Sequence, residues 1–251
     1  MPITANDHLL ANIRVVLVQT YHPGNIGAAA RAMRTMGITA LHLINPRDFP
    51  AEEASRMAAG ASELLNRAQV HDSLRAAVSD CTMVIGASAR LRERALPCFE
   101  EGDQMGQAAI HAALHGPVAL VFGRERFGLT NEELDHCTHQ LRLPTDPSYG
   151  ILNLAQAVQI SCYELRNAWR RSANATPSAR MGELQGGEPR PSRAQLEYFD
   201  ELLVELLRPS GFLNQPHAKT EEKLSAIIRR SEPSKRELSM LTGMIKALAG
   251  R

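Results

Sequence analysis

Three glycine-bearing loops could together form a pocket built mainly from backbone groups. They lie at residues 86–90 (GASAR), 123–128 (GRERFG) and 143–152 (LPTDPSYGIL), and each follows a short apolar run typical of a strand. Small residues let a ligand approach backbone N–H and C=O groups closely. No single loop is specific, but the three together favour a site for an adenine or a nucleoside.

A second group of polar residues follows the first apolar run, IRVVLV at residues 13–18. Asn25, Gly27 and Arg31 lie on the loop and first helical turns after it, and ligands bind beyond the carboxyl ends of strands in open parallel sheets. Arg31 and Arg34 are three residues apart and so share a helix face. Two interpretations stay open: a ligand-binding function or a solvated basic face.

Two nucleotide-binding motifs and a metal site are not supported by the sequence. Residues 123–130 follow a strand as a P-loop does, but Leu129 stands where the phosphate-binding lysine is required. The first strand is followed by no GxGxxG, so a dinucleotide-binding fold has no support. His136, Cys137 and His139 have no second ligand pair nearby, and we expect a packing or surface role rather than a metal site there.

Strands and helices alternate over the first two-thirds of the chain. Strands are predicted at residues 13–18, 40–44, 83–88, 118–123 and 140–144. After the loop YHPGNIG, the run AAARAMRTM predicts a helix that ends at Gly37, and Thr130 with Glu133 predicts a capping box. The alternation predicts an α/β fold with a parallel sheet and helices on both faces. A later helix has a wide apolar stripe, formed by Ile151, Ala155, Val158, Cys162, Leu165 and Trp169.

Composition and charge narrow the class of protein further. Hydrophobic residues make up 44% and charged residues 22%, as in average globular proteins. Lys and Arg total 28 against 27 Asp and Glu, which excludes a strongly basic nucleic-acid coat but not a local basic patch. Four scattered cysteines without a CxxC motif favour a reduced, cytoplasmic setting. We expect no signal peptide and no membrane span.

A change in composition near residue 172 predicts two domains. Residues 172–192 are rich in Pro, Gly and Ser, which predicts a flexible linker between a domain over residues 1–171 and a domain over residues 193–251. Three short helices are predicted beyond it, the first opened by Ser192 with Gln195, the second over about 219–230, and the third opened by Ser234 with Glu237. About sixty residues in three helices make a marginal core, so we expect this domain to pack against the main domain or against a partner.

Three longer motifs, in this order, resemble those of the SPOUT methyltransferases. They are NIRVVLVQTYHPGNIGAAARAMRTMG, VALVFGRERFGLTNEEL and LPTDPSYGILNLAQAVQISCYELR, and the resemblance covers about residues 12–171. It is strongest to the SpoU branch, which methylates ribose 2′-hydroxyls in RNA, and there to members that modify nucleotide 32 in the tRNA anticodon loop. The resemblance implies a SPOUT fold with a C-terminal trefoil knot, S-adenosylmethionine as cofactor, and a homodimer whose subunits complete each other's active sites.

The resemblance also implies roles for individual residues. Arg31 matches the arginine of the first motif, with Asn25 beside it, while Glu125 and Asn153 match the glutamate and asparagine of the second and third motifs. Backbone groups would hold the adenine and ribose of the cofactor at Ala87, Ser88, Ala89, Gly123, Leu143, Gly150, Ile151 and Leu152. Ile151 departs from the family pattern, which often has serine there, so only a backbone contact carries over.

The implied chemistry needs no metal and no covalent intermediate, because a sulfonium methyl group is already activated. Placing the ribose oxygen in line behind that methyl group supplies roughly 7–11 kcal/mol of the barrier. A guanidinium keeps its proton to about pH 12. We therefore expect Arg31 to hold the adjoining phosphate and stabilise the developing alkoxide, while water or the phosphate accepts the proton.

RNA binding has to come from local features, given the near-neutral charge. Arginines cluster in two of the loops, at Arg90, Arg92, Arg94, Arg124 and Arg126. With only 11 aromatic residues, base stacking on a sheet is not expected, and recognition should read backbone shape and the 2′-hydroxyl. The alternatives are another tRNA or rRNA site, a non-catalytic RNA-binding protein on the same fold, or a methyltransferase for small molecules or proteins.

Overall fold

The computed structural model describes residues 7–88, 96–174, 189–213 and 220–248. The chain divides into two compact units, residues 1–184 and 185–251. Ala89, the arginines predicted to bind RNA at positions 90, 92 and 94, and residues 175–188 of the predicted linker lie outside the described residues. The boundaries predicted at 171 and 193 stay a prediction.

The first unit contains a seven-stranded parallel sheet. Its strands in chain order are β1 (Ile13–Val18), β2 (Ala40–Ile44), β3 (Gln69–His71), β4 (Met83–Ala87), β5 (Cys98–Phe99), β6 (Val118–Phe122) and β7 (His139–Leu141). They lie side by side in the order β3-β2-β1-β6-β4-β7-β5, with every pair parallel. The predicted α/β class is confirmed. β7 is shorter than the predicted run 140–144, and β3 and β5 are too short to show an apolar pattern.

The sheet is buried on both faces, which explains the unbroken apolar runs of its central strands. Along β1, Ile13, Val15 and Leu17 are buried in one hydrophobic cluster, while Val16 and Val18 are buried in another on the opposite face. β6 follows the same alternation. The two clusters make a three-layer arrangement in which helices cover each face of the sheet.

Eight helices of the first unit are described: α1 (Asp7–Ala11), α2 (Pro23–Met36), α3 (Glu52–Ala58), α4 (Ser62–Asn66), α5 (Leu74–Val78), α6 (Gly102–Ala112), α7 (Asn131–Asp135) and α8 (Leu154–Asn174). α2 begins at Pro23, so most of the run YHPGNIG predicted as a loop is helical; proline suits the first helical position because its missing N–H has no helical partner there. As predicted, α2 ends at Gly37, with φ of 82°. A Cβ on Gly27 would lie 2.0 Å from the carbonyl oxygen of Ala54, so this glycine lets α2 and α3 pack closely.

α8 confirms most of the predicted apolar stripe. Val158, Cys162 and Leu165 are fully buried against the sheet. The prediction that Ile151 belongs to this stripe was wrong. α8 begins at Leu154, and Ile151 is 81% exposed on the preceding loop. The helix ends at Asn174, three residues into the segment predicted as linker.

The second unit contains the three predicted helices, α9 (Arg193–Leu207), α10 (Thr220–Ser231) and α11 (Lys235–Leu248). Ser192 and Gln195 form the predicted capping box of α9, and Ser234 and Glu237 exchange the same pair of bonds at α11. Its core is small and centres on Leu196, Phe199 and Leu238. In the described parts of both units, no helix is long and apolar enough to cross a membrane.

Candidate active site

The three predicted loops meet at the carboxyl-end edge of the sheet, after the adjacent strands β6, β4 and β7. They enclose a cavity of about 380 Å³, within the usual range for small-molecule sites. Seven of the eight predicted cofactor residues line it: Ala87, Ser88, Gly123, Leu143, Gly150, Ile151 and Leu152. The eighth, Ala89, lies outside the described residues. Residues distant in sequence thus meet because parallel strands end at one edge.

The floor of the cavity is apolar, and this part was not predicted. Phe122, Leu141, Leu154 and Ala157 line it, where β6, β7 and α8 approach one another. These side chains belong to regular elements rather than to loops, so a pattern of glycine-bearing loops does not predict them. An apolar floor with a rim of backbone groups suits a flat heterocycle, which stacks on the floor and hydrogen-bonds at its edge.

Gly123 is required by the way its loop folds back on itself. A Cβ on Gly123 would lie 2.1 Å from the carbonyl carbon of Gly128, which no side chain could avoid. The Gly128 N–H donates to the Arg124 carbonyl oxygen at 2.9 Å, and Gly128 has φ of 66°, which favours glycine. The two glycines therefore shape one wall of the cavity.

The third loop is held by its own short-range hydrogen bonds. The Thr145 hydroxyl donates to the Gly150 carbonyl oxygen at 3.2 Å. Asp146 accepts bonds from the backbone N–H and the hydroxyl of Ser148, and these bonds lower the pKa of the Asp146 carboxyl. The side chains of Tyr149 and Ile151 remain largely exposed, so the loop offers mainly its backbone to the cavity.

Three of the four predicted catalytic residues form one hydrogen-bond network beside the cavity. Glu125 Oε1 accepts from Asn25 Nδ2 at 2.9 Å and from the His22 N–H at 3.1 Å, and Oε2 accepts from the Tyr21 N–H at 2.9 Å. Asn153 Nδ2 donates to Asn25 Oδ1 at 3.2 Å. Asn25 is 100 residues from Glu125 and 128 residues from Asn153 in the sequence. The three side chains nevertheless meet at one point of the sheet edge.

The direction of these bonds is fixed by the carboxylate. A carboxylate only accepts, so the amide nitrogen of Asn25 must face Glu125 and its oxygen must face Asn153. Asn153 in turn donates to Asn25 with its nitrogen and accepts the Ala155 N–H with its oxygen, at 2.8 Å. The Asn153 N–H donates to Gln156 Oε1 at 3.1 Å, and no pattern in the sequence predicted a function for Gln156. The network therefore joins the starts of α2 and α8 to the loop after β6.

Arg31, the fourth predicted catalytic residue, lies apart from this network. It is exposed on α2, about 9 Å further along the helix axis than Asn25 at 1.5 Å per residue. It is not among the residues that line the cavity, and no ion pair between described residues includes it. The described part of the chain therefore leaves the Arg31 guanidinium available to a group that approaches from outside.

Arg124 was predicted to belong to a basic cluster that binds RNA, but in the structure it pairs with a carboxylate. Its guanidinium makes a bidentate pair with Glu133, at 2.7 and 3.0 Å, and also donates to Gln19 Oε1 and to the Gly128 carbonyl oxygen. Burial alone would raise the pKa of Glu133, but the bonds from Arg124 and Thr130 hold it below its ordinary value. Arg124 therefore braces the loop after β6, whereas Arg126 is exposed.

The His136–His139 segment packs within the fold. Cys137 is fully buried, and the ring of His139 stacks on Phe99 with centroids 5.1 Å apart. Among the described residues, no group of three or more His, Cys, Asp or Glu side chains is arranged to hold a metal ion.

The sequence is similar over most of its length to proteins of one methyltransferase family. Residues 12–163 match the sequence profile of the SpoU rRNA Methylase family. The tRNA (cytidine/uridine-2′-O-)-methyltransferase TrmJ of Yersinia pestis (strain Pestoides F) is 43% identical over 243 residues, which cover 96% of this chain and 92% of that protein.

Two solved structures are similar over nearly the whole chain. A probable methylase family protein from Haemophilus influenzae Rd KW20 is 40% identical, with a TM-score of 0.63, over 96% of this chain and 97% of that one. TrmJ from Z. mobilis ZM4 is 28% identical, with a TM-score of 0.76, over 94% of this chain and 98% of that one.

Proposed function

The chain belongs to the SpoU rRNA Methylase family, and from that premise we propose that it methylates the 2′-hydroxyl of a cytidine or uridine ribose in tRNA, with S-adenosylmethionine as methyl donor. The finer proposal is that the target is nucleotide 32 of the anticodon loop. The observation that carries it is the cavity formed by three loops directly beside the Asn25–Glu125–Asn153 network, in a chain so similar to a tRNA methyltransferase along its length.

The cavity residues fit S-adenosylmethionine. The apolar floor suits the adenine ring, and Gly123 and residues 150–152 line the cavity where their backbone N–H and C=O groups can bind its polar edge. Gly123 permits the close return of its loop that forms one wall of the cavity. When bound, the cofactor supplies a sulfonium methyl group that needs no further activation. A backbone role for Ile151 agrees with its exposed side chain, so a serine at this position is not required.

The network beside the cavity positions the RNA. Asn25, Glu125 and Asn153 use most of their polar atoms on one another and on the backbone, which holds the starts of α2 and α8 and the loop after β6 rigidly together. A rigid edge can hold a ribose so that its 2′-oxygen faces the cavity without paying for reorganisation during the reaction.

Arg31 acts as a donor rather than as a base. A guanidinium has N–H donors and no acceptor, so Arg31 holds the phosphate next to the target ribose and stabilises charge on the 2′-oxygen as the proton leaves. Water or that phosphate accepts the proton. Since Arg31 lies outside the cavity of its own chain, a second subunit that presents Arg31 to this site gives it a function.

A homodimer is therefore part of the proposal. Ile160 and Tyr163 are exposed apolar side chains on α8, a helix whose opposite face is already buried against the sheet, and they offer a surface for a second copy. Sedimentation of the full chain should give twice the monomer mass. The C-terminal trefoil knot and the cytoplasmic location stay predictions.

Transfer of labelled methyl groups to unmodified tRNA tests the function. We expect label in tRNA, loss of the label on ribonuclease digestion, and a 2′-O-methyl group at nucleotide 32. Label at another nucleotide would overturn the finer proposal alone. Binding of tRNA without transfer would instead identify a non-catalytic RNA-binding protein, and label that resists ribonuclease would identify another class of substrate.

A further inference from the structure

A tyrosine and an arginine form an exposed cation–π pair next to the candidate active site. Tyr21 follows β1 and Arg47 follows β2, the neighbouring strand, so both lie at the carboxyl-end edge of the sheet. The Arg47 guanidinium carbon lies 3.9 Å from the centre of the Tyr21 ring. The Tyr21 side chain is 53% exposed and Arg47 is also exposed. Neither residue belongs to the three glycine-bearing loops.

The backbone fixes this pair relative to the network. The Tyr21 N–H donates to Glu125 Oε2 at 2.9 Å, and the Arg47 N–H donates to the Thr20 carbonyl oxygen at 3.1 Å. Gln19 has φ of 48°, which is uncommon for a residue other than glycine and turns the chain sharply after β1. The pair is thus attached through backbone atoms to the carboxylate that organises Asn25 and Asn153.

The chemistry of the pair suits an unstacked nucleobase. Aromatic rings and guanidinium planes are the surfaces on which proteins stack the bases of single-stranded RNA. A guanidinium held over a ring adds a second π-surface to the aromatic one, and its N–H groups can still reach a phosphate. We propose that Tyr21 and Arg47 form a stacking platform for a base next to the methylated nucleotide in the RNA loop.

This inference rests on the proposed function, because it places single-stranded RNA at this edge of the sheet. It also modifies the expectation from composition. Few aromatic residues exclude a stacking surface made by a whole sheet, but a single tyrosine held beside the network is enough to orient one base. The platform determines how RNA is positioned and takes no part in proton transfer.

Four variants of the full chain separate stacking from charge and from structure. Tyr21→Leu removes the ring and Arg47→Lys keeps the charge but removes the plane, whereas Tyr21→Phe keeps the ring. Backbone bonds to Glu125 and Thr20 remain in each. Arg67→Ala is the matched surface control. Arg67 pairs with Glu63 just before β3, at the amino-end edge of the sheet, whereas Tyr21 and Arg47 lie at the carboxyl-end edge.

We expect Tyr21→Leu and Arg47→Lys to raise the KM for tRNA about tenfold, the change that about 1.4 kcal/mol produces. Their kcat, cofactor affinity and melting temperature should match those of the wild type. Tyr21→Phe and Arg67→Ala should behave as the wild type. The salt dependence of binding should not change in Arg47→Lys, because stacking releases no counterions. A KM for Tyr21→Leu equal to that of the wild type would overturn the platform.

Abasic RNA identifies the stacked base and tests the platform independently of turnover. Anticodon stem-loops carrying one abasic nucleotide at each loop position are titrated with wild-type protein and with Tyr21→Leu. We expect one position to weaken wild-type binding and to have no effect in the variant. Equal losses in both proteins at every position would overturn the platform. Stem-loop binding without any methyl transfer would refute the proposed function while leaving this test intact.

Discussion

Glu125→Gln is the substitution that most directly tests the network. The carboxylate accepts three hydrogen bonds: from Asn25 Nδ2, and from the N–H groups of His22 and Tyr21. A glutamine oxygen in the place of Oε1 keeps two of these bonds without the charge. The glutamine nitrogen then faces the Tyr21 N–H, donor against donor, so the third bond is lost.

The size of the effect follows from these three bonds. A hydrogen bond to a charged group contributes about 1.5–3 kcal/mol, against about 0.5–1.5 kcal/mol for a neutral one. Because Glu125 is half-buried and water can replace part of the loss, we take the lower end and expect about 2 kcal/mol of lost unfolding free energy. For a domain of this size, that lowers the melting temperature by about 4–8 °C. Displacement of Asn25 and Asn153 should lower kcat about 100-fold.

The assay compares melting temperature and kcat for tRNA methylation in Glu125→Gln, Asn25→Ala and the double variant. Because Glu125→Gln weakens the bond from Asn25 Nδ2 that Asn25→Ala removes altogether, the losses in the double variant should be smaller than the sum. Glu132→Gln, an equal charge change at an exposed position in the first turn of α7, is the control. If Glu125→Gln melts and turns over like Glu132→Gln, or if the losses add fully, the network does not position the site.

Three further predictions concern other parts of the chain. Arg31→Ala should lower kcat at least 100-fold, because it removes a donor to a developing oxyanion. The cofactor affinity measured by calorimetry should not change, and the control variant Arg34→Ala should stay active. Lost cofactor binding in Arg31→Ala would contradict the role given to Arg31. Ile151→Ser should alter unfolding free energy by less than about 0.5 kcal/mol, because the side chain is exposed, and a large rise in turnover would refute the backbone role. Removing residues 175–251 takes away all four lysines. The shortened protein should bind cofactor but bind tRNA more weakly. The slope of log affinity against log salt should become shallower by about 0.7–0.9 for each lost phosphate contact. Equal slopes for the full and shortened proteins would show that these helices do not hold RNA.

Local patterns in the sequence predicted most of the strands and helices but not which of them lie side by side in the fold. Five central strands follow from apolar runs, and the end of α2 at Gly37 follows from the φ that glycine allows. β3 and β5 could not be predicted, since two or three residues carry no period. Ile151 was wrongly placed on a helical stripe because helical spacing continues by chance into the loop before α8.

The candidate site shows the same division. The cavity loops could be found from glycine and from their position after strands, whereas the Asn25–Asn153 bond joins residues 128 positions apart and needed the family resemblance to nominate its members. The ion pair of Arg124 with Glu133 could not be foreseen, because a capping glutamate gives no sign that it also holds an arginine nine residues earlier. Side-chain pairing across loops depends on the folded geometry alone.

Ribose 2′-O-methylation beside the network is the central claim, and a tRNA with a single 2′-deoxynucleotide at position 32 tests it most directly. The substitution removes the acceptor oxygen and leaves the base, the phosphates and the loop in place. We predict that the protein binds this tRNA as it binds the unmodified one and transfers no labelled methyl group to it. Transfer at an undiminished rate would contradict the account, because the methyl group would then be going to a base or to another nucleotide.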